Sequence, residues 1–190
     1  MSSAEPKPQR ADAVRNRERI LDAARALFAE CGATTQMDDV ARRAQVGVGT
    51  VYRHFPTKAA LLGELLAVKL CAHADDARRW AQEPDGWTAL EGFLREAFAS
   101  IAQDATLQQR MMWVDDDEAL AHAAAARDDI NGVVGEIIER GKAQGRINPA
   151  FTVEGVPAIM CAVGAVMSAQ ARMEMGADAF VELIIDGLRA

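Results

Sequence analysis

Cysteine is scarce in this 190-residue chain. Cys31, Cys71 and Cys161 stand far apart with no CxxC pair, which leaves neither a disulfide framework nor a zinc site and fits a reducing cytoplasm. The histidines are as thin: His54, His73 and His122 are scattered, and no HExxH, GxSxG or phosphate loop accompanies them. Gly47-Val48-Gly49 follows no strand and lacks the third glycine of a dinucleotide fingerprint. No cofactor, no metal and no catalytic residue is therefore expected, and the chain reads as something other than an enzyme. Long apolar runs are also missing. The longest uncharged stretch, Gly155 to Ala171, is broken by Pro157, Ser168 and Gln170 and is too weak for a membrane span. Met1 to Pro6 offers no apolar core of a signal peptide, so no membrane partner is expected. Aromatics make up 5% of the chain and β-branched runs are few, whereas alanine, leucine, methionine and arginine abound. These are helix formers, and the expected class is all-α.

Charge is unevenly spread. The net −7 conceals 10 Lys/Arg against 7 Asp/Glu in residues 1–60, and 11 against 21 in residues 61–190. A basic first third on an acidic remainder points to phosphate contact by the first part alone.

Three segments are expected: an arm at 1–12, disordered and partly basic; a DNA-binding unit at 13–60; and a helical unit at 61–190. Ile20, Ala23, Ala24, Leu27 and Phe28 line one helix face, which Gly32 stops. Thr35 to Asp38 fits a capping box for a short helix that turns Met37, Val40, Ala41 and Ala44 inward and breaks at Gln45-Val46-Gly47. Val48, Val51, Tyr52 and Phe55 then form the apolar face of a third helix, ended by Pro56, after which Thr57 caps a long fourth. Further helices are expected over Trp87–Ala105, Leu107–Val114, Glu118–Gln144, Val153–Met175 and Ala177–Leu188. A helix braced across a tight turn by another is how a helix-turn-helix fits the major groove.

The run Ile20-Leu21-Asp22-Ala23-Ala24 to Phe28, then Asp39-Val40-Ala41, then Val46-Gly47-Val48-Gly49-Thr50-Val51-Tyr52-Arg53-His54-Phe55-Pro56-Thr57-Lys58, closely resembles TetR-family repressors. The remainder matches that family only in being helical. The resemblance makes Val48 to His54 the recognition helix and adds phosphate or base contacts at Tyr52, His54 and Lys58. From the residues themselves, Gly49, Thr50, Arg53 and His54 lie off the apolar face. Thr50 suits a base edge or a thymine methyl, Gly49 lets the backbone come close, and Arg53 suits a guanine or a phosphate. Val48 departs from the polar residue often found there, so its contact would be apolar. Tyr52 is at a core-facing spacing, where its ring packs and only its hydroxyl reaches phosphate, or the whole side chain meets DNA. His54 contacts DNA or braces the turn. Lys58 joins a helix N-terminus facing a phosphate, and Thr35 does likewise by its amide. Arg43 is a backbone candidate, with Arg42, Arg10, Arg15 and Arg17 either solvated charges or further contacts.

Within 61–190, Ala158, Ala162, Ala165 and Ala169 form a small-residue stripe, and Phe180, Leu183 and Ile184 lie on a last helix that is apolar on more than one side. The final two helices resemble the family's dimer interface, and the expected state is a homodimer on a palindromic double-stranded DNA operator. Trp87, Phe98, Met111, Met112, Trp113, Met160 and Met167 are the candidate lining of a small-molecule effector pocket, since methionine and aromatics suit irregular apolar cavities. Asp115 to Glu118, followed by His122, reads as an acidic helix start rather than a metal site. The alternatives are an enzyme, or an interaction protein that keeps the helix-turn-helix shape without reading DNA.

Overall fold

The computed structural model describes residues 8–103, 117–169 and 176–190. Among these, the α-helices are α1 (Pro8–Cys31), α2 (Met37–Ala44), α3 (Val48–His54), α4 (Lys58–Trp80), α5 (Gly86–Gln103), α6 (Asp117–His122), α7 (Ala124–Ala143), α8 (Gly155–Ala169) and α9 (Ala177–Leu188), with one 3-10 turn at Gly32–Thr34. The all-α class holds. A single antiparallel bridge between Ile147 and Arg189 pins the C-terminus to the turn after α7.

Two departures concern the first unit. Helix α1 already begins at Pro8, so residues 8–12 of the expected arm are helical. Proline is well placed there, because its fixed φ is helical and its missing N–H would have no partner in the first turn. The capping box does not form either. Thr35 is only 3% exposed, and its hydroxyl donates to the Leu27 carbonyl at 3.1 Å, so Gln36 takes the N-cap place without a side-chain bond.

Gly32 ends α1 at φ +59°, as a helix-stopping glycine should. The turn between α2 and α3 falls at Gln45-Val46-Gly47, where the sequence breaks the helix. Gln45 takes the left-handed conformation there, at φ 55° and ψ 44°. The Gln45 amide donates to the Arg42 carbonyl and the Val46 amide to that of Ala41, which together close the end of α2. Gly47 stands in the extended N-cap place of α3.

The first hydrophobic cluster joins Ile20, Ala24 and Phe28 of α1 to Met37 and Val40 of α2, Val51 and Phe55 around α3, and Leu61 and Leu65 of α4. The second joins Ala74 and Ala77 of α4 to Leu90, Phe93 and Phe98 of α5, Ile137 and Ile138 of α7, Val163 of α8 and Ile185 of α9. Helix α4 thus belongs to both. Thr57 caps it, accepting from the Ala60 amide at 2.9 Å.

The single helix expected over Glu118–Gln144 is two, α6 and α7, broken at Ala123. Both pack along α4. Where α6 crosses it, a Cβ on Gly63 would lie 2.6 Å from the His122 Cβ and 2.7 Å from the Ala119 carbonyl oxygen. Only a glycine admits α6 that close. The expected Leu107–Val114 segment and the end of the expected Val153–Met175 helix lie outside the described residues.

Candidate nucleic-acid interface and effector cavity

Helix α3 is held by one side. Val51 and Phe55 are buried against α1 and α2, and this fixes what the opposite side presents. Val48 and Tyr52, expected on the apolar face, point outward instead, at 40% and 46% exposure. A seven-residue helix needs only the Val51–Phe55 pair to dock, so the other two apolar residues are left over. With Gly49 and Arg53, also exposed, they form one outward stripe at positions i, i+1, i+4 and i+5. Nothing stands within 4 Å of where a Gly49 Cβ would be, so another molecule's surface can approach the backbone there. Thr50 is half-buried at the edge of the stripe, and its amide donates to the Gly47 carbonyl at 2.8 Å.

The cations nearby differ in what they touch. Arg42 pairs with Asp39 at 3.1 Å and Arg43 with Glu30 at 2.7 Å. Arg17 pairs with Glu64 and sits 5.5 Å from the centre of the Phe55 ring, while Arg19 reaches the Gln45 carbonyl at 3.3 Å. Arg53 has no ion-pair or hydrogen-bond partner among the described residues. Lys58, the first residue of α4, lies 5.7 Å from the centre of the Phe28 ring. Thr35 is turned away from solvent, and its amide already donates to the Gly32 carbonyl at 3.1 Å, so the amide contact expected of it is not available.

His54 is half-buried with its ring tilted against Phe55, and its Nε2 has no hydrogen-bond partner among the described residues. Burial, then the charges of Arg53 and Arg17, hold its pKa below the ordinary imidazole value. The ring at the end of α3 is therefore neutral at neutral pH.

A cavity of about 370 Å³ opens between α4, α5, α7 and α8. Its walls are mainly apolar, with Leu70, Phe93, Ile130, Val156 and Met160 among them. Of the expected lining, Met160 is there. Trp87 and Phe98 are instead buried in the second cluster, and Met167 packs against it, because these side chains fill the space between helices. Met111, Met112 and Trp113 lie outside the described residues. The sequence reading missed the polar part of the wall, Lys69 and His73 on α4 and Arg127 and Asn131 on α7. Each pair is spaced i, i+4, a signal the sequence carried, but nothing in it says which face of α4 meets α7.

Helices α8 and α9 carry apolar surface on their outer sides. Ala158 and Ala165 are exposed, Ala162 is half-buried, and Leu183 is 62% exposed between half-buried Phe180 and Ile184. Ala169 closes α8, and its side chain lies outside the described residues. Val181, Ile185 and Leu188 of α9 face the second cluster.

Two family models match the chain. One, described as bacterial regulatory proteins of the tetR family, matches residues 20–65. The other, the C-terminal domain of SbtR-like transcriptional regulators, matches residues 85–190. The transcriptional repressor KstR of Rhodococcus jostii is 35% identical over 132 residues, which are 65% of this chain and 58% of that protein. The chain thus matches less than two thirds of that relative's length. A TetR transcription regulatory protein from Mycobacterium vanbaalenii has a solved structure that is 32% identical, with 96% of this chain and all of that one covered, at a TM-score of 0.62. FadR from Bacillus subtilis, solved in complex with stearoyl-CoA, shares the fold at a TM-score of 0.71 and 19% identity, with 89% of this chain and 95% of that one covered.

Proposed function

The chain belongs to the TetR family of bacterial transcriptional regulators, and from that membership we propose that it is a ligand-responsive homodimeric repressor that binds a palindromic operator in the cytoplasm. The observation that carries this reading is the outward stripe of α3. Val48, Gly49, Tyr52 and Arg53 stand together on a helix anchored from behind by Val51 and Phe55. Thr50 and Arg53 read base edges or phosphate, Val48 makes an apolar contact such as with a thymine methyl, and Tyr52 reaches phosphate by its hydroxyl. Lys58 at the start of α4 faces a phosphate, and His54 supports the end of the helix. Arg43 joins them by giving up Glu30 for a phosphate. Thr35 is left out of this set.

The dimer rests on the outer faces of α8 and α9. Leu183 with Ala158, Ala162 and Ala165 gives a surface on which helices of a second copy approach closely. Two recognition helices then meet successive major grooves. The effector enters the cavity beside α4, the helix shared by both clusters, whose first turn is tied to α6 by the Thr57 hydroxyl donating to Glu118 at 2.8 Å. A ligand that favours another placing of α4 would shift the spacing of the recognition helices, which is linkage between two sites.

The test is a titration of the purified protein against DNA flanking its own gene, at several salt concentrations. Selection of one near-palindromic site is expected, with affinity falling steeply as salt rises. The Arg53→Ala variant should bind about five- to 150-fold more weakly, in line with roughly 1–3 kcal/mol for a good contact. Weak binding that ignores sequence, and is unchanged by the substitution, would favour an interaction protein that merely keeps the shape.

A further inference from the structure

The cavity between α4 and α7 has a charge that contradicts its surroundings. Residues 61–190 hold 21 Asp/Glu against 11 Lys/Arg, so a wall drawn from them at random would carry about two acids for every base. Among the described residues the wall carries Lys69 and Arg127 and no acid. Beside the cations stand two hydrogen-bonding groups, Asn131 one turn along α7 from Arg127 and His73 one turn along α4 from Lys69. Apart from the Cys161 thiol, the other described residues of the wall are apolar.

His73 supplies an independent sign of a missing partner. It is 7% exposed, it lines the cavity, and its Nε2 is buried without a hydrogen bond among the described residues. A buried polar atom left in that state has lost its water without gaining a partner, and a ligand group would recover that loss. Its Nδ1 lies 4.0 Å from the Asp76 carboxylate, too far for a hydrogen bond. The positive field also registers on the ring. Burial first, and then the Lys69 ammonium, push its pKa down against the opposing pulls of Asp76 and Glu96, neither of which lines the cavity.

We propose that the effector is an apolar carboxylic acid, bound with its hydrocarbon body along the walls of Phe93, Ile130 and Val156 and its carboxylate toward Lys69, His73, Arg127 and Asn131. This deepens the reading of the chain as a ligand-responsive regulator and rests on it. Lys69 and Arg127 supply the charge, while the Nε2–H of His73 and the amide of Asn131 donate to the carboxylate oxygens. Selectivity follows from the wall. An alcohol of the same length would bury the same carbon chain but bring no charge to the Arg127 guanidinium and the Lys69 ammonium, and an amine would be repelled.

The test is calorimetry on the full chain with matched series of straight-chain acids, alcohols and amines of six to twelve carbons. The best acid should bind at least tenfold more tightly than its alcohol, and no amine should bind. Lys69→Met keeps the length of the side chain and should bring the acid-to-alcohol ratio to within about threefold of unity. Arg127→Met, at an exposed position where folding is not at stake, should lower the same ratio. Equal binding of acid and alcohol, preference for the amine, or no binding across all three series would each overturn the proposal, as would an acid preference that survives both substitutions. DNA titrations on the same preparations separate the two readings. Operator binding without acid preference sinks only the ligand class, and acid binding without any DNA affinity sinks the regulator.

Discussion

Gln45 is the residue at which local chemistry pays most visibly for the fold. A side chain at φ 55° is strained by about 1–2 kcal/mol relative to glycine, yet the turn between α2 and α3 requires that conformation. Gln45→Gly should therefore raise stability by up to about 1 kcal/mol in chemical denaturation, after the greater freedom of glycine in the unfolded chain is subtracted. The contact of Arg19 with the Gln45 side chain would go, while that with its carbonyl remains. A loss of stability would mean that the side-chain contact outweighs the strain. The histidines set a second expectation. His54 and His73 both titrate below the ordinary value, chiefly because burial disfavours the charged ring. Below about pH 6.5 the unfolded chain takes up protons that the folded chain still refuses. The unfolded state binds more protons there, so stability is full above that pH and falls as pH drops toward the folded values. Thermal melts from pH 7.5 to 5.5 should show this decline, and His73→Phe should flatten it. A decline of equal steepness in that variant would remove His73 from the account.

At the scale of elements, α3 and α6 depend on what lies behind them. Helix α3 is too short to be stable alone, and its outward stripe is displayed only because Val51 and Phe55 are gripped by the first cluster. Helix α6 is shorter still and sits where Gly63 leaves room on α4. A methyl group there would meet the His122 Cβ and the Ala119 carbonyl, and the second of these is backbone that cannot swing aside. Gly63→Ala should accordingly lower stability by about 1–3 kcal/mol, the usual toll of overpacking, even though alanine is the better helix former. Denaturation would check this, and a stabilised variant would show that α6 can retreat from α4.

For the whole molecule, the proposed dimer turns on the outer face of α9. Helix α9 turns Val181, Ile185 and Leu188 toward its own core, and an ion pair of Arg95 with Glu182 at 2.6 Å fastens it to α5. Leu183 is left on the other side with most of its surface in water. Leu183→Glu should leave the fold intact and convert a dimer into a monomer in sedimentation. Operator affinity should then fall by roughly a hundredfold or more, the avidity lost when two half-sites are no longer bound together. A variant that stays dimeric would move the interface away from α9.

The sequence by itself determined the helical class, the positions of most helices and the inward faces of α1 and α2, because a 3.6-residue period written in Ile20, Ala24, Phe28, Met37, Val40 and Ala44 specifies one buried side. It also carried the stretch from Ile20 to Lys58 that resembles the family. Tertiary structure decided the rest. Val48 and Tyr52 share a periodic face with Val51 and Phe55, but only packing against the first cluster settled that two of the four go inside. Thr35 has the chemistry of a cap, and the acceptor on Leu27 drew its hydroxyl elsewhere. The cavity wall joins Lys69 and His73 to Arg127 and Asn131 across more than fifty residues of chain. Periodicity tells which residues share one face of a helix. Which neighbour covers that face, and how completely, follows from packing between elements distant in sequence, and there a single helix carries no record of its partner.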